Sequence, residues 1–153
     1  MNDIGGDKNQ LLLGGVSAGG GLAASVVLRE NQLSSGRGRI RGQILCIPWL
    51  IHPDAYPFDL LASKEISSYH QNITAPILPR TQIDLFIGLL DVKDPTDPSF
   101  SMGNVENRDV VGMSKTAVLV AGMDPLRDEA LLYAEKLTKN RGVSLLSFMV
   151  YLS

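Results

Sequence analysis

The sequence has 153 residues, of which 44% are hydrophobic and 20% are charged, a composition typical of a globular domain and not of a disordered chain. Its 14 basic and 16 acidic residues give a net charge of -2, which argues against nucleic-acid binding because such proteins concentrate Lys and Arg. The one cysteine, Cys46, has no partner for an internal disulfide. The apolar runs are shorter than the roughly 18 residues of a membrane helix, so no membrane span is expected.

Two apolar runs near the start of the chain predict buried strands. They lie at 11–13 and 43–47. The second run is continuous rather than alternating, as expected for a strand that is covered on both faces in a parallel sheet. Between them, an Ala-, Leu- and Val-rich stretch at 18–30 predicts a helix, which a Ser/Gly turn at 34–38 ends. The chain therefore begins with a predicted strand–helix–strand unit.

The middle of the chain is predicted to be a loop-rich, lid-like insertion at 54–115, with one convincing helical stretch at 80–90. A strand at 116–121, a helix at 125–139 and a strand at 143–151 are predicted after it. Strands that alternate with helices form right-handed crossovers, which place the strands in one parallel sheet. The predicted fold class is therefore α/β, with a mostly parallel sheet of about four strands flanked by helices.

A Gly-x-Ser-x-Gly pattern lies where the first predicted strand meets the first helix. Its fixed positions are Gly15, Ser17 and Gly19. A tight strand-to-helix turn would strain the serine backbone, and glycines are expected on both sides because side chains there would clash. Such a turn raises the Ser17 hydroxyl above the sheet and leaves the N–H of Ala18 free to bind an oxyanion. Ser17 is therefore predicted to be a nucleophile.

Phosphate-binding loops are the alternative interpretation of this glycine cluster. A Walker loop requires Lys and then Ser or Thr after its last glycine, whereas Gly21 is followed by Leu22. A dinucleotide-binding loop requires G-x-G-x-x-G, which the glycines between 14 and 21 do not form in any register. Because no metal-ligand spacing is found either, neither a cofactor nor a metal is expected.

A second candidate residue, Asp124, follows the third predicted strand. Taken alone, it reads as a helix cap, because Pro125 and acidic residues follow it. Its position favours a function, since it would lie at the same edge of the sheet as Ser17, where α/β folds bind ligands. A serine hydrolase also requires an acid, after the serine in the chain, to orient its histidine. Asp124 fits that order.

With both motifs, the chain resembles the α/β-hydrolase family related to hormone-sensitive lipase, whose members are mostly carboxylic-ester hydrolases. The matching stretches, in family order, are 15–20, 22–24, 42–49, 75–78, 97–99 and 122–129. The resemblance implies that Ser17 is the nucleophile, that Asp124 is the acid of the triad and that the Ala18 N–H is one oxyanion donor. It also implies small-molecule esters as substrates. Three aromatic residues after the second strand, Trp49, Tyr56 and Phe58, lie where the family builds its acyl or alcohol pocket, and they are expected either to line that pocket or to close the core.

The chain departs from the family pattern at both ends. The His-Gly-Gly oxyanion loop that precedes the nucleophile strand and the histidine that follows the last strand are both missing. The four predicted strands correspond to the C-terminal half of the family fold, so residues 1–153 are expected to be a partial hydrolase domain. Its two histidines, His52 and His70, are expected in a loop and in a solvated stretch, and neither is expected to be catalytic.

These departures leave three interpretations open. The chain is expected to be an ester hydrolase of impaired activity; the alternatives are a non-catalytic small-molecule-binding homologue, as in the gibberellin receptors that resemble the same family, and an inactive gene remnant. The strand at Leu11 is expected to be an exposed edge that could support self-association. No targeting signal is recognisable, so we expect an intracellular, cytoplasmic protein; a peroxisomal address would be invisible if the chain continues beyond Ser153.

Overall fold

A computed structural model describes residues 5–34 and 38–140, together with the backbone of 146–150. The helices and strands in chain order are β1 (Leu11–Val16), α1 (Ala18–Ser34), β2 (Ile40–Cys46), α2 (Ser68–Gln71), α3 (Arg80–Leu90), β3 (Lys115–Ala121), α4 (Arg127–Lys139) and β4 (Leu146–Val150). Short 3₁₀ turns connect the elements between β2 and β3. Among the helices so described, none has the length and apolar character to cross a membrane.

The strands form one parallel sheet in the order β1-β2-β3-β4, which confirms the predicted α/β class. Sequential strands are neighbours in the sheet, so each connection leads to the adjacent strand. Because all strands are parallel, their carboxyl ends lie at the same edge of the sheet. The predicted fourth strand extends over 143–151, of which 143–145 and 151 lie outside the described residues.

One face of the sheet carries the core. The inward row of β2 and β3 includes Leu45, Val118 and Val120, which are almost fully buried, and the contacts of α1 with β1 and β2 and of α4 with β3 cover it. The opposite row is open, and Ile44 there is 49% exposed. The expectation that the second strand is covered on both faces is therefore wrong for the described residues. A continuous apolar run does not by itself say which face has a partner.

Helix α4 begins later than predicted. The sequence placed its start at 125, whereas the helix begins at Arg127. The reason is that Asp124 closes a turn of its own, since its Oδ1 accepts a hydrogen bond from the Leu126 N–H at 2.9 Å. Acidic residues in the first turn and lysines in the last complement the helix dipole.

Candidate active site

Ser17 is the one-residue elbow between β1 and α1. Its φ of 54° is in the left-handed region, which a residue with a side chain adopts only at a cost in free energy. The N–H of Ser17 donates to the Cys46 carbonyl at 2.9 Å, and its own carbonyl accepts from Gly20, Gly21 and Trp49 at 2.9–3.1 Å. These four bonds hold the strained backbone in place.

Steric contacts explain some of the glycines around the elbow. A Cβ at Gly15 would lie 2.1 Å from the carbonyl oxygen of Gly19, and one at Gly21 would lie 2.2 Å from that of Trp49. A Cβ at Gly19 itself would meet no atom within 4 Å among the described residues. The prediction that a side chain would clash on both sides of the serine is therefore right for Gly15 and wrong for Gly19.

The first turn of α1 offers hydrogen-bond donors next to the Ser17 hydroxyl. The N–H groups that begin a helix have no acceptor within it. Over residues 5–34 and 38–140, no acceptor pairs with the N–H of Ala18, whereas the Ser17 N–H is already used by Cys46. The Ala18 N–H is thus available to an anion, and the positive end of the α1 dipole favours one there.

An apolar cavity of about 360 Å³ opens beside the elbow. Its lining residues are Ser17, Ala18, Trp49, Leu78, Ile83, Phe86, Leu89, Leu90 and Leu126. Helix α3 supplies four of these nine residues, and the indole N–H of Trp49 is turned away to the Ile51 carbonyl at 2.8 Å. The Ser17 hydroxyl is therefore the principal polar side-chain group that a ligand in this cavity would meet. Trp49 lines the cavity and also packs against the core, whereas Tyr56 and Phe58 pack in or against the core and are not part of the cavity lining.

Asp124 lies at the same edge of the sheet as Ser17. It follows β3, Ser17 follows β1, and β2 lies between these two strands. Two strand spacings separate the strand ends by roughly 10 Å. Burial raises the pKa of the Asp124 carboxyl, and the Leu126 N–H and the Arg127 charge oppose that shift. The structure thus places both predicted residues at one edge of the sheet, after strands that are separated by β2.

The two histidines lie away from the elbow. His52 is almost fully buried. Its ring Nδ1 accepts a hydrogen bond from the Asp54 N–H at 3.2 Å, and its backbone N–H donates to the Ser101 hydroxyl at 2.9 Å. His70 is exposed, and its Nδ1 lies 2.8 Å from the Ser67 hydroxyl. Neither lines the cavity beside Ser17. His52 is in a loop and His70 in a solvated stretch, as the sequence predicts.

The lid-like insertion is attached to the turn that carries Asp124. The Ser68 N–H donates to the Asp128 carboxylate at 2.6 Å, the Ser68 hydroxyl donates to the Pro125 carbonyl at 2.6 Å, and the Asp128 N–H donates back to that hydroxyl at 3.2 Å. The side-chain amide of Asn72 adds a bond to the Asp124 carbonyl at 3.2 Å. This network fixes α2 and the turn of Asp124 relative to each other.

Glu129 is a buried carboxyl that the sequence analysis missed. It was grouped with the acids expected in the first turn of a capped helix, yet it is 0% exposed. The signal was present in the spacing, because Glu129 lies three residues after Leu126 and four before Tyr133, both of which are buried. In the ranges that the structure describes, no group of three His, Cys, Asp or Glu side chains could hold a metal ion.

Comparison with known proteins identifies the family. A sequence model of the alpha/beta hydrolase fold matches residues 1–148. The chain is 33% identical over 142 residues to carboxylesterase NlhH of Mycobacterium tuberculosis, covering 89% of this chain and 40% of that protein. It is 31% identical over 150 residues to an arylesterase of Saccharolobus solfataricus, covering 97% of this chain and 44% of that one. The chain thus spans less than half the length of these relatives.

Solved structures agree with the sequence relatives. The crystal structure of a thermostable esterase from Pseudomonas putida has a TM-score of 0.79 at 29% identity, over 97% of this chain and 43% of that one. Carboxyl esterase 2 of Tuber melanosporum has the same TM-score of 0.79 at 21% identity and covers 97% of this chain and 46% of its own, which shows the shared fold. The chain therefore belongs to the α/β-hydrolase fold family, in the branch related to hormone-sensitive lipase.

Proposed function

We propose that this chain carries the nucleophile and acid half of a serine carboxylic-ester hydrolase. Ser17 is the nucleophile, Asp124 is the acid that orients a histidine, and the Ala18 N–H is one oxyanion donor. The observation that carries the proposal is a serine of positive φ, 54°, at the start of a helix and at the wall of an apolar cavity. Several relatives are carboxylesterases or arylesterases by name, which supports the same reaction class.

The reaction proceeds through an acyl-enzyme. The Ser17 oxygen attacks the ester carbonyl, its proton passes to a base, and the carbonyl oxygen becomes an oxyanion that the Ala18 N–H stabilises. The alcohol leaves with a proton from that base, and water then releases the acid and regenerates the serine. An imidazole between Ser17 and Asp124 would be the base, held in its productive tautomer by the Asp124 carboxylate.

The base is not supplied by His52 or His70, because neither lies at the cavity that Ser17 lines. We therefore propose that the 153 residues alone turn esters over poorly. Loss of a triad member typically removes several powers of ten in rate and leaves the contribution of binding and of the oxyanion site.

The substrate proposed is an uncharged ester with a small apolar acyl or alcohol group. The cavity of about 360 Å³ is within the size range of small-molecule sites. Leucine, isoleucine, phenylalanine and tryptophan side chains form nearly all of its wall. A charged group placed there would lose its hydration without gaining an ionic partner, which disfavours it strongly.

A binding protein without turnover is the second candidate. It is favoured by one observation, that the cavity is formed although neither histidine lines it. Saturable binding of an apolar ester analogue to both the parent protein and Ser17→Ala, without covalent capture of Ser17, would support this candidate over the hydrolase.

Covalent capture tests the nucleophile. The protein is incubated for hours with a 4-nitrophenyl alkylphosphonate, and adducts are located by intact mass and peptide mapping. We expect one adduct, on the peptide that contains Ser17, and none in Ser17→Ala. Ser99→Ala is the matched control, because Ser99 is exposed and does not line the cavity, and this variant should be labelled at the parent rate. Equal labelling of Ser17→Ala and the parent protein would overturn the proposal.

A further inference from the structure

Glu129 is a fully buried carboxyl that the proposed chemistry does not use. It is 0% exposed, and burial raises its pKa well above the ordinary value, while three hydrogen bonds oppose that shift. All three donors are neutral: the Leu50 N–H at 2.6 Å and the Ile51 N–H at 3.4 Å bond Oε1, and the Tyr69 hydroxyl lies 3.3 Å from Oε2. A carboxyl without a cationic partner is costly to bury, so its placement calls for a function.

The residues that Glu129 holds lead directly to the elbow. Leu50 and Ile51 follow Trp49, whose own N–H donates to the Ser17 carbonyl at 3.1 Å. The Trp49 indole is fixed in turn by the Ile51 carbonyl at 2.8 Å, and its ring lines the cavity. Two successive backbone N–H groups thus anchor the loop that supports the strained serine and forms one pocket wall.

Glu129 belongs to the same segment as the acid of the site. It lies in the first turn of α4, directly after the turn of Asp124 and Leu126. Leu126 lines the cavity. One side chain therefore joins the Trp49 loop behind the nucleophile to the helix that follows the acid, across the end of β2.

We propose that Glu129 is a positioning residue, whose Oε1 holds the loop of Trp49–Ile51 against the elbow and so sets the Ser17 hydroxyl and the tryptophan wall of the cavity. The expected effect on the reactivity of Ser17 rests on the proposed role of Ser17 as the nucleophile. The required property is an acceptor at the Oε1 position rather than a negative charge. Glutamine retains that acceptor and places an N–H donor toward Tyr69, whereas leucine has the size of glutamate without any acceptor.

The experiment uses two readouts on the full chain. Trp49 is the only tryptophan, so acrylamide quenching of intrinsic fluorescence reports the loop directly. The maximal rate of phosphonate capture reports the Ser17 hydroxyl. The variants are Glu129→Gln, Glu129→Leu and Glu129→Asp, and the matched control is Glu135→Leu, on the same helix but 57% exposed at its side chain.

We expect Glu129→Gln and Glu135→Leu to stay within twofold of the parent protein in both readouts. Glu129→Leu should at least double the quenching constant and lower the maximal capture rate at least tenfold, and Glu129→Asp, one methylene shorter, should change both in the same direction by less. If Glu129→Leu does not fold, as judged by circular dichroism, Glu129→Asp carries the comparison.

Two results would overturn the inference. One is that Glu129→Gln changes the quenching constant and the capture rate as much as Glu129→Leu or Glu129→Asp does. The other is that folded Glu129→Leu or Glu129→Asp leaves Trp49 quenching and the capture rate unchanged. If the parent protein itself is not captured at Ser17, the proposed nucleophile fails, and Trp49 quenching alone still decides the positioning role of Glu129.

Discussion

At the scale of single residues, two glycines of the elbow region have opposite environments. A Cβ at Gly21 would lie 2.2 Å from the backbone oxygen of Trp49, whereas one at Gly19 would meet nothing within 4 Å in the part of the chain that the structure describes. Both are in α1, where alanine is intrinsically favoured over glycine by up to about 1 kcal/mol. The two positions therefore separate helix propensity from close packing.

We expect Gly21→Ala to lower the free energy of unfolding by about 2 kcal/mol, because backbone must move to relieve the contact. Gly19→Ala should leave it unchanged or raise it by up to about 1 kcal/mol. Urea denaturation followed by circular dichroism measures both. Equal destabilisation by the two substitutions would show that the tight approach of α1 to the Trp49 loop is absent in solution.

The buried carboxyl of Glu129 gives a prediction about pH. Its pKa in the folded protein is raised well above the ordinary value of 4.5 by burial. Between the pKa of Glu129 in the unfolded chain, about 4.5, and its higher pKa in the folded protein, the folded protein holds a proton that the unfolded chain has lost. The contribution of Glu129 to stability is therefore complete below about pH 4.5 and is lost as the pH rises toward the folded pKa. Each such group contributes a slope of up to about 1.4 kcal/mol per pH unit in that window.

Glu129→Gln cannot titrate and should therefore show a smaller loss of stability between pH 5 and 7 than the parent protein does. The nearby Asp124, whose pKa is also raised, and all other carboxyls remain in both proteins, so their contributions largely cancel in the difference. Urea unfolding at several pH values measures the two slopes, with Glu135→Gln as the exposed control. Parallel slopes for the parent and Glu129→Gln would contradict the prediction.

At the scale of elements, β1 is an edge strand of the sheet that the structure describes, and its own sequence lacks the residues that usually protect such an edge. Its sequence has no charged residue and no proline. Leu12, on the face of that sheet that no described helix covers, is 73% exposed. Val16 and Ile44 extend the same open apolar face at 60% and 49% exposure. Edge strands of this kind offer unpaired backbone groups and apolar side chains to another chain.

We expect the protein to self-associate in a concentration-dependent way and Leu12→Lys to reduce that association. The control is Leu33→Lys, because Leu33 is 77% exposed on α1 and away from the edge. Sedimentation velocity over a range of concentrations measures the effect. A monomeric parent protein, or the same response to both lysine substitutions, would show that the β1 edge is not an association surface.

The same elements show what the sequence could and could not predict. The strands at β1, β2 and β3 and the helix α3 were found because short apolar runs and helical spacing are local signals. The open sheet face was missed because a local run carries no information on which partner covers it. The start of α4 was placed at 125 instead of Arg127 because the Asp124 side chain closes a separate turn.

The candidate site also has residues that the sequence predicts and one that it does not. The Gly-x-Ser-x-Gly pattern predicted the elbow, which has the expected left-handed serine, because the strain is set by residues adjacent in sequence. Glu129 was not predicted, since its partners Leu50 and Tyr69 are far from it in the chain. Long-range hydrogen bonds of this kind depend on the packed fold. The only sign of them in the sequence is that Glu129 has the helical spacing of a buried residue.

At the scale of the whole molecule, one sheet edge carries Ser17 and Asp124, the proposed nucleophile and acid, and neither histidine lines the cavity beside Ser17. Ser17 and Asp124 follow strands that are two positions apart, roughly 10 Å. His52 is buried against Asp54 and Ser101, and exposed His70 pairs with Ser67. In this arrangement neither His52 nor His70 is placed to accept the proton in the proposed transfer from Ser17.

We therefore expect steady-state hydrolysis of 4-nitrophenyl butyrate by the parent protein to stay close to that of Ser17→Ala, even where phosphonate capture of Ser17 is measurable. Capture needs one attack on a strongly activated centre, whereas turnover needs a base twice in every cycle, once to take the serine proton and once to activate water. His70→Ala should leave the capture rate within twofold, because the imidazole is exposed and does not line the cavity. Rapid multiple turnover that both Ser17→Ala and His70→Ala abolish would mean that α2 moves to deliver His70 between serine and acid, and that its docking on the Asp124 turn is not maintained during the reaction.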